Sequence, residues 1–316
     1  MSAARETEVY RYVEGVYLSR MFDEKAIKSM FERKPQPGDI FVAGYPKSGT
    51  KWLQYIIYCI LNDGRPPTRI SEFIQGSTLL GGNHANSSQM EHKPGAIKTH
   101  LPFHKAAYGP EAKYVYVCRN PYDTCVSYFH HTACRPVYQF KNGTFDEFLD
   151  MFLNGKVDFG DYFDNVLSWY VERERPNILL VTYENLKEDT RTWLLKIAGF
   201  LGEEHATKLQ DNPDLMSRIL KMCSAEETTE NLNAVFKETC QQGRYRQAMG
   251  GFEEVSSGET RADLKTPLEI PFIRKGVVGD WEEYFTPDKI RKMKEKIARK
   301  TAFSEVMSIW NEIDIP

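Results

Sequence analysis

The chain is predicted to fold as a single α/β domain, with a central parallel β-sheet flanked by helices and a P-loop-like phosphate-binding loop near its start. Three observations lead there. Asp39 to Gly44 is a short β-branched run that ends in glycine and passes through a glycine loop into an apolar helix. Strand-like and helical runs then alternate along the chain, the pattern of a parallel sheet with ligands at the carboxyl ends of its strands. One strand, within Asn177 to Leu186, is too continuously apolar for an antiparallel sheet with a solvated face, so it is expected to be covered on both sides.

The elements follow in order. Leu53, Ile56, Ile57, Ile60 and Leu61 stand at helical spacing and predict one apolar face for the first helix. Ala96 to His100 and Lys113 to Pro121 read as strands whose ends deliver polar residues. After the second, Asn120 can cap a helix that has Pro121 at its first position. Thr144 to Glu147 fits a capping box before the apolar run at 148–153. Asp189 to Gly202 predicts a helix that stops at its glycine. Residues 253–269 are polar and rich in turn formers, which fits a mobile lid or an ordinary surface loop. Thr286 and Pro287 open a last helix as cap and first residue.

Length and composition bound the function. One domain accounts for residues 1–316. With 41 Lys and Arg against 44 Asp and Glu the net charge is -3, which argues against a general nucleic-acid or anionic-membrane binder. The six cysteines form no C-x-x-C pair and read as reduced thiols. The polar first residues carry no apolar signal or anchor, and the longest apolar run, Leu53 to Leu61, falls well short of the ~20 residues that span a bilayer. A cytoplasmic protein is expected, in which the sequons at Asn86 and Asn142 have no meaning.

The loop from Gly44 to Trp52, GYPKSGTKW, nearly spells the phosphate loop of nucleotide hydrolases, but in the wrong order. That loop places lysine and a magnesium-holding hydroxyl after its second glycine. Here Lys47 comes early and Thr50 precedes Lys51. Taken alone, the stretch reads better as a glycine turn with a solvated lysine.

Three further segments decide between these readings: KTHLP at 98–102, CRNPYDTCVSYFH at 118–130 and FIRKGVVGDW at 272–281. Together with the loop, in this order and over nearly the whole chain, they resemble the cytosolic sulfotransferases, enzymes that use 3′-phosphoadenosine 5′-phosphosulfate (PAPS) and release adenosine 3′,5′-bisphosphate (PAP). The resemblance implies that the loop, with Lys47, Ser48, Gly49, Thr50 and Lys51, cradles the phosphosulfate on backbone N–H groups at a helix N-terminus. It implies that Lys47 steadies the oxygen between phosphate and sulfate, so that no metal is needed. His100 is then the general base toward the acceptor hydroxyl, and Lys98 helps to hold the transferring group. Arg119 and Ser127, with Arg274, Lys275 and Gly276, are implied to bind the 3′-phosphate, Ser127 also restraining the loop lysine. Trp52 is implied to stack on adenine, Tyr183 to hydrogen-bond to it, and Ser224 to touch the cofactor.

Departures from the family pattern carry expectations of their own. Lys51 stands where the family loop has a second hydroxyl, and Ala225 where it often has an aromatic over the other adenine face. The family's dimer motif after Trp281 keeps only Thr286, so a monomer or weak homodimer is expected. By position Phe22, Phe103 and His131 would line an apolar acceptor pocket suited to a small phenol, catecholamine-like compounds included, or to a hydroxysteroid. The alternatives are a non-catalytic protein that keeps the fold, a nucleotide kinase with an aberrant loop, and a membrane-anchored sulfotransferase.

Overall fold

A computed structural model describes residues 9–20, 22, 24–67, 95–231 and 274–316. The chain opens with an antiparallel hairpin, β1 (Tyr10–Val13) and β2 (Val16–Ser19). Its turn is built on Glu14 at φ 49 and Gly15 at φ 73, the pair of left-handed residues that a tight hairpin turn requires. The short helix α1 (Glu24–Glu32) follows.

Four parallel strands form the main sheet: β3 (Ile40–Ala43), β4 (Ile97–Thr99), β5 (Lys113–Cys118) and β6 (Ile178–Thr182). They lie in the order β4-β3-β5-β6. β3 pairs with β4 along one side and β5 along the other, so the chain leaves β3 in both directions and a crevice opens at its carboxyl end. Alternation along the strands divides the core in two. Phe41, Ala43, Tyr114, Tyr116 and Cys118 face one side, under the hairpin and the helices α3 (Pro121–Ala133), α4 (Phe145–Leu153) and α5 (Tyr162–Tyr170). Val42, Val115, Val117 and Val181 face the other. That side is covered by α2 (Thr50–Leu61), α6 (Tyr183–Glu188), α7 (Thr190–Leu201), α8 (Glu203–Asp211) and α9 (Pro213–Met222). The last α-helix described is α10 (Pro287–Thr301), followed by a 3-10 turn at Val306–Trp310.

Most local signals act as read. Asn120 accepts the Asp123 N–H at the head of α3. Thr144 and Glu147 close a capping box. α7 ends at Gly202. Three expectations are corrected. α2 is buried from Trp52 to Ile60 on every side rather than along one face, because other helices pack around it as well as the sheet. The strand expected across Asn177 to Leu186 ends at Thr182, whose hydroxyl accepts the Asn185 N–H and starts α6. Thr286 sits at the head of α10 without a side-chain cap, leaving Pro287 to set the start. Residues 253–269 lie outside the described residues.

Candidate active site

All four strand ends of the main sheet deliver candidate residues to one place. β3 runs into the glycine loop, β4 into His100, β5 into Arg119 and β6 into Tyr183. The loop passes so close under β5 that a Cβ on Gly44 would lie 2.4 Å from the Val117 carbonyl oxygen. Lys47 and Gly49 take left-handed backbone angles, φ 72 and φ 101, which turn the loop over the start of α2. A Cβ on Gly49 would meet the Tyr183 ring at 2.8 Å. Gly49 caps α2 with no side-chain hydrogen bond, so the helix presents its backbone amides to the crevice as an anion site does.

The electrostatics match this geometry. Lys98 is buried, and burial followed by the charges of Lys47 and Arg135 pushes its ammonium down to about 7. Lys47 is pushed down to about 8 by burial and then by Arg135, with Arg119 and Arg274 adding to the effect. Burial, Lys98, Arg135 and Lys47 hold Lys51 well below an ordinary lysine. Cations crowded together away from water are costly unless an anion joins them. Among the described residues, Ser48 adds a buried hydroxyl without a hydrogen-bond partner, and Arg119 a buried Nε in the same condition. These residues fit a multiply charged phosphosulfate nucleotide.

His100 is the proton-transfer candidate. Its Nδ1 lies 2.6 Å from the Gly44 carbonyl oxygen, which can only accept, so Nδ1 carries the proton and Nε2 keeps its lone pair. Burial and then Lys98 hold its pKa well below the usual histidine range, and the ring is neutral at working pH. The Asn165 amide fixes the His100 carbonyl at 2.9 Å and is itself held by the Tyr116 hydroxyl at 2.9 Å. Phe159, at φ 68, presents its ring 5.1 Å from the His100 ring.

On the β6 side of the crevice, Arg119 lies over the Tyr183 ring at 4.5 Å, beside Asp123 at 3.5 Å, and donates to the Val277 carbonyl at 2.7 Å. This last bond brings the segment with Arg274, Lys275 and Gly276 (φ 66) to the head of α3. Arg274 pairs with Asp280, while Lys275 reaches Asp280 at 2.7 Å and Glu283 at 2.8 Å. Trp52 and Tyr183 meet edge to face at 5.4 Å, and the Trp52 indole N–H donates to the Cys223 carbonyl at 2.8 Å. Ser224 uses its hydroxyl to accept the Glu227 N–H at 3.2 Å, a cap that the sequence reading did not foresee. Ser127 is half-buried on α3.

Of the three residues expected to line an acceptor pocket, Phe22 joins the site through Phe159, ring to ring at 5.5 Å. His131 joins it too: Arg135, Lys47, His100 and Lys98 all act on its ring, which burial keeps neutral. Phe103 packs instead against Tyr108 and Trp169, both at 5.2 Å, because its backbone N–H is fastened to Ser168. Two site residues escaped the sequence reading. Phe159 carries no motif, and Arg135 lies past the helix whose start was recognised; only its place one turn after His131 could have drawn attention to it.

A cation-lined crevice at the ends of parallel strands, with a neutral histidine and an early loop lysine, defines a group-transfer enzyme for a phosphorylated donor. The chain belongs to the sulfotransferase family: the family's sulfotransferase-domain model matches residues 37–305. It is similar to sulfotransferase 1B1 of Mus musculus, 32% identical over 81% of this chain and 80% of that one. It is also 32% identical to a 3-beta-hydroxysteroid sulfotransferase of Cavia porcellus, over 78% of each chain. Among solved structures, mouse sulfotransferase SULT7A1 complexed with PAP matches at 30% identity and TM-score 0.70, over 96% of this chain and 98% of that one. The nucleotide-kinase alternative falls with this result. Among the described residues no helix is long and apolar enough to cross a membrane.

Proposed function

We propose that this single-domain protein moves the sulfuryl group of PAPS to the hydroxyl of a small, phenolic acceptor by in-line transfer, with His100 as general base. The observation that carries the reading is the His100 tautomer: Nδ1–H is spent on the Gly44 carbonyl at 2.6 Å, which leaves a basic Nε2 beside three lysines. PAPS supplies the group to be transferred. Its phosphosulfate would be held by the loop amides, Ser48, Thr50, Lys51 and Lys47, and its 3′-phosphate by Arg119, Ser127 and the Arg274–Gly276 segment. Trp52 and Tyr183 would take the adenine, with Ser224 nearby.

His100 Nε2 accepts the hydroxyl proton as the acceptor oxygen attacks sulfur, a role worth roughly 100-fold to 10,000-fold. Lys47 meets the negative charge that builds on the leaving oxygen, and Lys98 steadies the group in flight. The five described cysteines are free thiols, which supports a reducing compartment such as the cytoplasm. The degraded dimer motif supports a monomer or weak homodimer. His100→Ala should lower turnover at least ~100-fold while PAP affinity stays near wild type. Turnover retained within a few fold would remove His100 from the mechanism.

A further inference from the structure

The turn between α4 and α5 is fastened by four other parts of the chain: the hairpin, α3, the turn past α3 and the glycine loop. One oxygen of the buried Asp158 carboxylate accepts the Ser19 backbone N–H, and the other takes the Ser19 hydroxyl at 3.2 Å and the Tyr138 hydroxyl at 2.6 Å. The Asp158 carbonyl accepts the Tyr128 hydroxyl at 3.0 Å. Next to it, the Phe159 N–H donates to the Tyr17 carbonyl at 2.8 Å, and the Gly160 carbonyl accepts the Tyr45 hydroxyl at 2.7 Å. These bonds hold Phe159 and Gly160 at φ 68 and φ 73, a region that a phenylalanine enters only where its surroundings impose it. The result is a fixed place for one ring. Phe159 meets His100 at 5.1 Å and Phe22 at 5.5 Å, edge to face with both.

Stability does not account for the carboxylate. Burial raises Asp158 to about 6 against the hydrogen bonds that favour its charge, so the fold keeps a charged group here at a cost. Its place does account for it, because Tyr45 follows Gly44, whose carbonyl orients His100, and the turn and the base are thus tied to adjacent loop residues. We propose that Asp158 is a positioning residue for the transfer: by locking its turn it sets the Phe159 ring beside His100 as the wall against which an aromatic acceptor lies. The proposal rests on the sulfotransferase reading and adds a residue to it. Arg119 makes its contacts with Tyr183 and Val277, on the β6 side of the crevice, so a displaced Phe159 disturbs the acceptor and not the nucleotide.

The test measures kcat/KM for 4-nitrophenol with PAPS, PAP affinity by calorimetry, and the NMR resonances of the His100 ring in the PAP complex, assigned with His100→Gln. Asp158→Ala should lower kcat/KM for the phenol ~10-fold and shift the His100 resonances as the Phe159 ring current moves away, with PAP affinity within about twofold of wild type. Asp158→Asn keeps the shape and can still accept the Ser19 N–H, so it should lose less. Tyr138→Phe removes only a hydroxyl and should move both readouts in the same direction, which carries the test if Asp158→Ala does not fold. In a Phe159→Leu background, Asp158→Ala should cost under ~2-fold more, because the two residues act as one unit. Unmoved His100 resonances, full additivity with Phe159→Leu, or a matching fall in PAP affinity would overturn the assignment. If the wild type leaves 4-nitrophenol untouched, the His100 resonances decide. Wild-type protein that binds no PAP would instead sink the sulfotransferase reading, and the proposal with it.

Discussion

The Gly44 carbonyl decides what His100 can do. By accepting a hydrogen bond from Nδ1–H it leaves Nε2 as the basic nitrogen, and burial with Lys98 keeps that nitrogen unprotonated. The lysines behave in the opposite sense. Lys98 at about 7 and Lys47 at about 8 lose much of their charge at mildly alkaline pH in the free protein. A phosphate anion restores it, so the bound form holds more protons than the free form between about pH 7 and 9. PAP binding should therefore take up protons, and its affinity should fall as pH rises through this window. Calorimetry near pH 8 in buffers of different ionisation enthalpy reads the uptake; binding heats independent of buffer would contradict it. His100, Lys47 and Lys98 were legible because they sit in motifs. Arg135 and Phe159 were not, because what places them is the turn after α3 and the left-handed backbone before α5, neither of which has a sequence period.

The strand-loop-helix unit was the most legible element, since a β-branched strand, two glycines and an apolar helix each carry a local signal. What could not be read is how tightly the loop is enclosed. Gly49 stands at φ 101 with the Tyr183 ring 2.8 Å from where a Cβ would be. Gly49→Ala combines a strained backbone, roughly 1–3 kcal/mol, with displacement of Tyr183 from its seat beside Trp52. PAP affinity should fall at least ~10-fold with the fold retained, measurable by calorimetry alongside circular dichroism; unchanged affinity would show that the loop relaxes freely. The start of α6 was misread because Thr182 and Tyr183 suit strand and helix alike, and the hydroxyl cap that decides between them is a three-dimensional event. The β1–β2 hairpin was missed although its two turn residues, Glu14 and Gly15, carry a recognisable signal.

At the scale of the whole molecule, the helices are tied to one another by charge. α10 lays Lys289, Lys292, Lys296 and Lys300 against Asp146 and Asp150 near α4 and against Asp161 and Asp164 at the head of α5. The Lys296–Asp161 pair is shielded, with side-chain exposures of 6% and 13%, whereas the others are more open and count for less. Lys296→Ala leaves Asp161 without its buried partner and should cost ~3 kcal/mol in denaturant unfolding, while Lys292→Ala should cost under ~1 kcal/mol. Equal effects would contradict this ranking. At the ends of β5 and β6, Glu184 accepts from the Asn120 backbone and side chain, both at 2.8 Å, and from the Trp310 indole at 3.0 Å, joining these strand ends to the C-terminal segment. The alternation of strands and helices announced a parallel sheet. The β4-β3-β5-β6 order and these long-range ties join residues far apart in sequence, and periodicity does not reach that far.

The central claim is that the crevice transfers a sulfuryl group from PAPS. It is tested most directly by incubating the protein in EDTA with labelled PAPS and a panel of phenols, hydroxyaryl acids, catecholamines and hydroxysteroids, with PAP binding measured in parallel. The account predicts tight PAP binding and label transferred to a hydroxyl of at least one aromatic acceptor. Failure of both binding and transfer would contradict it.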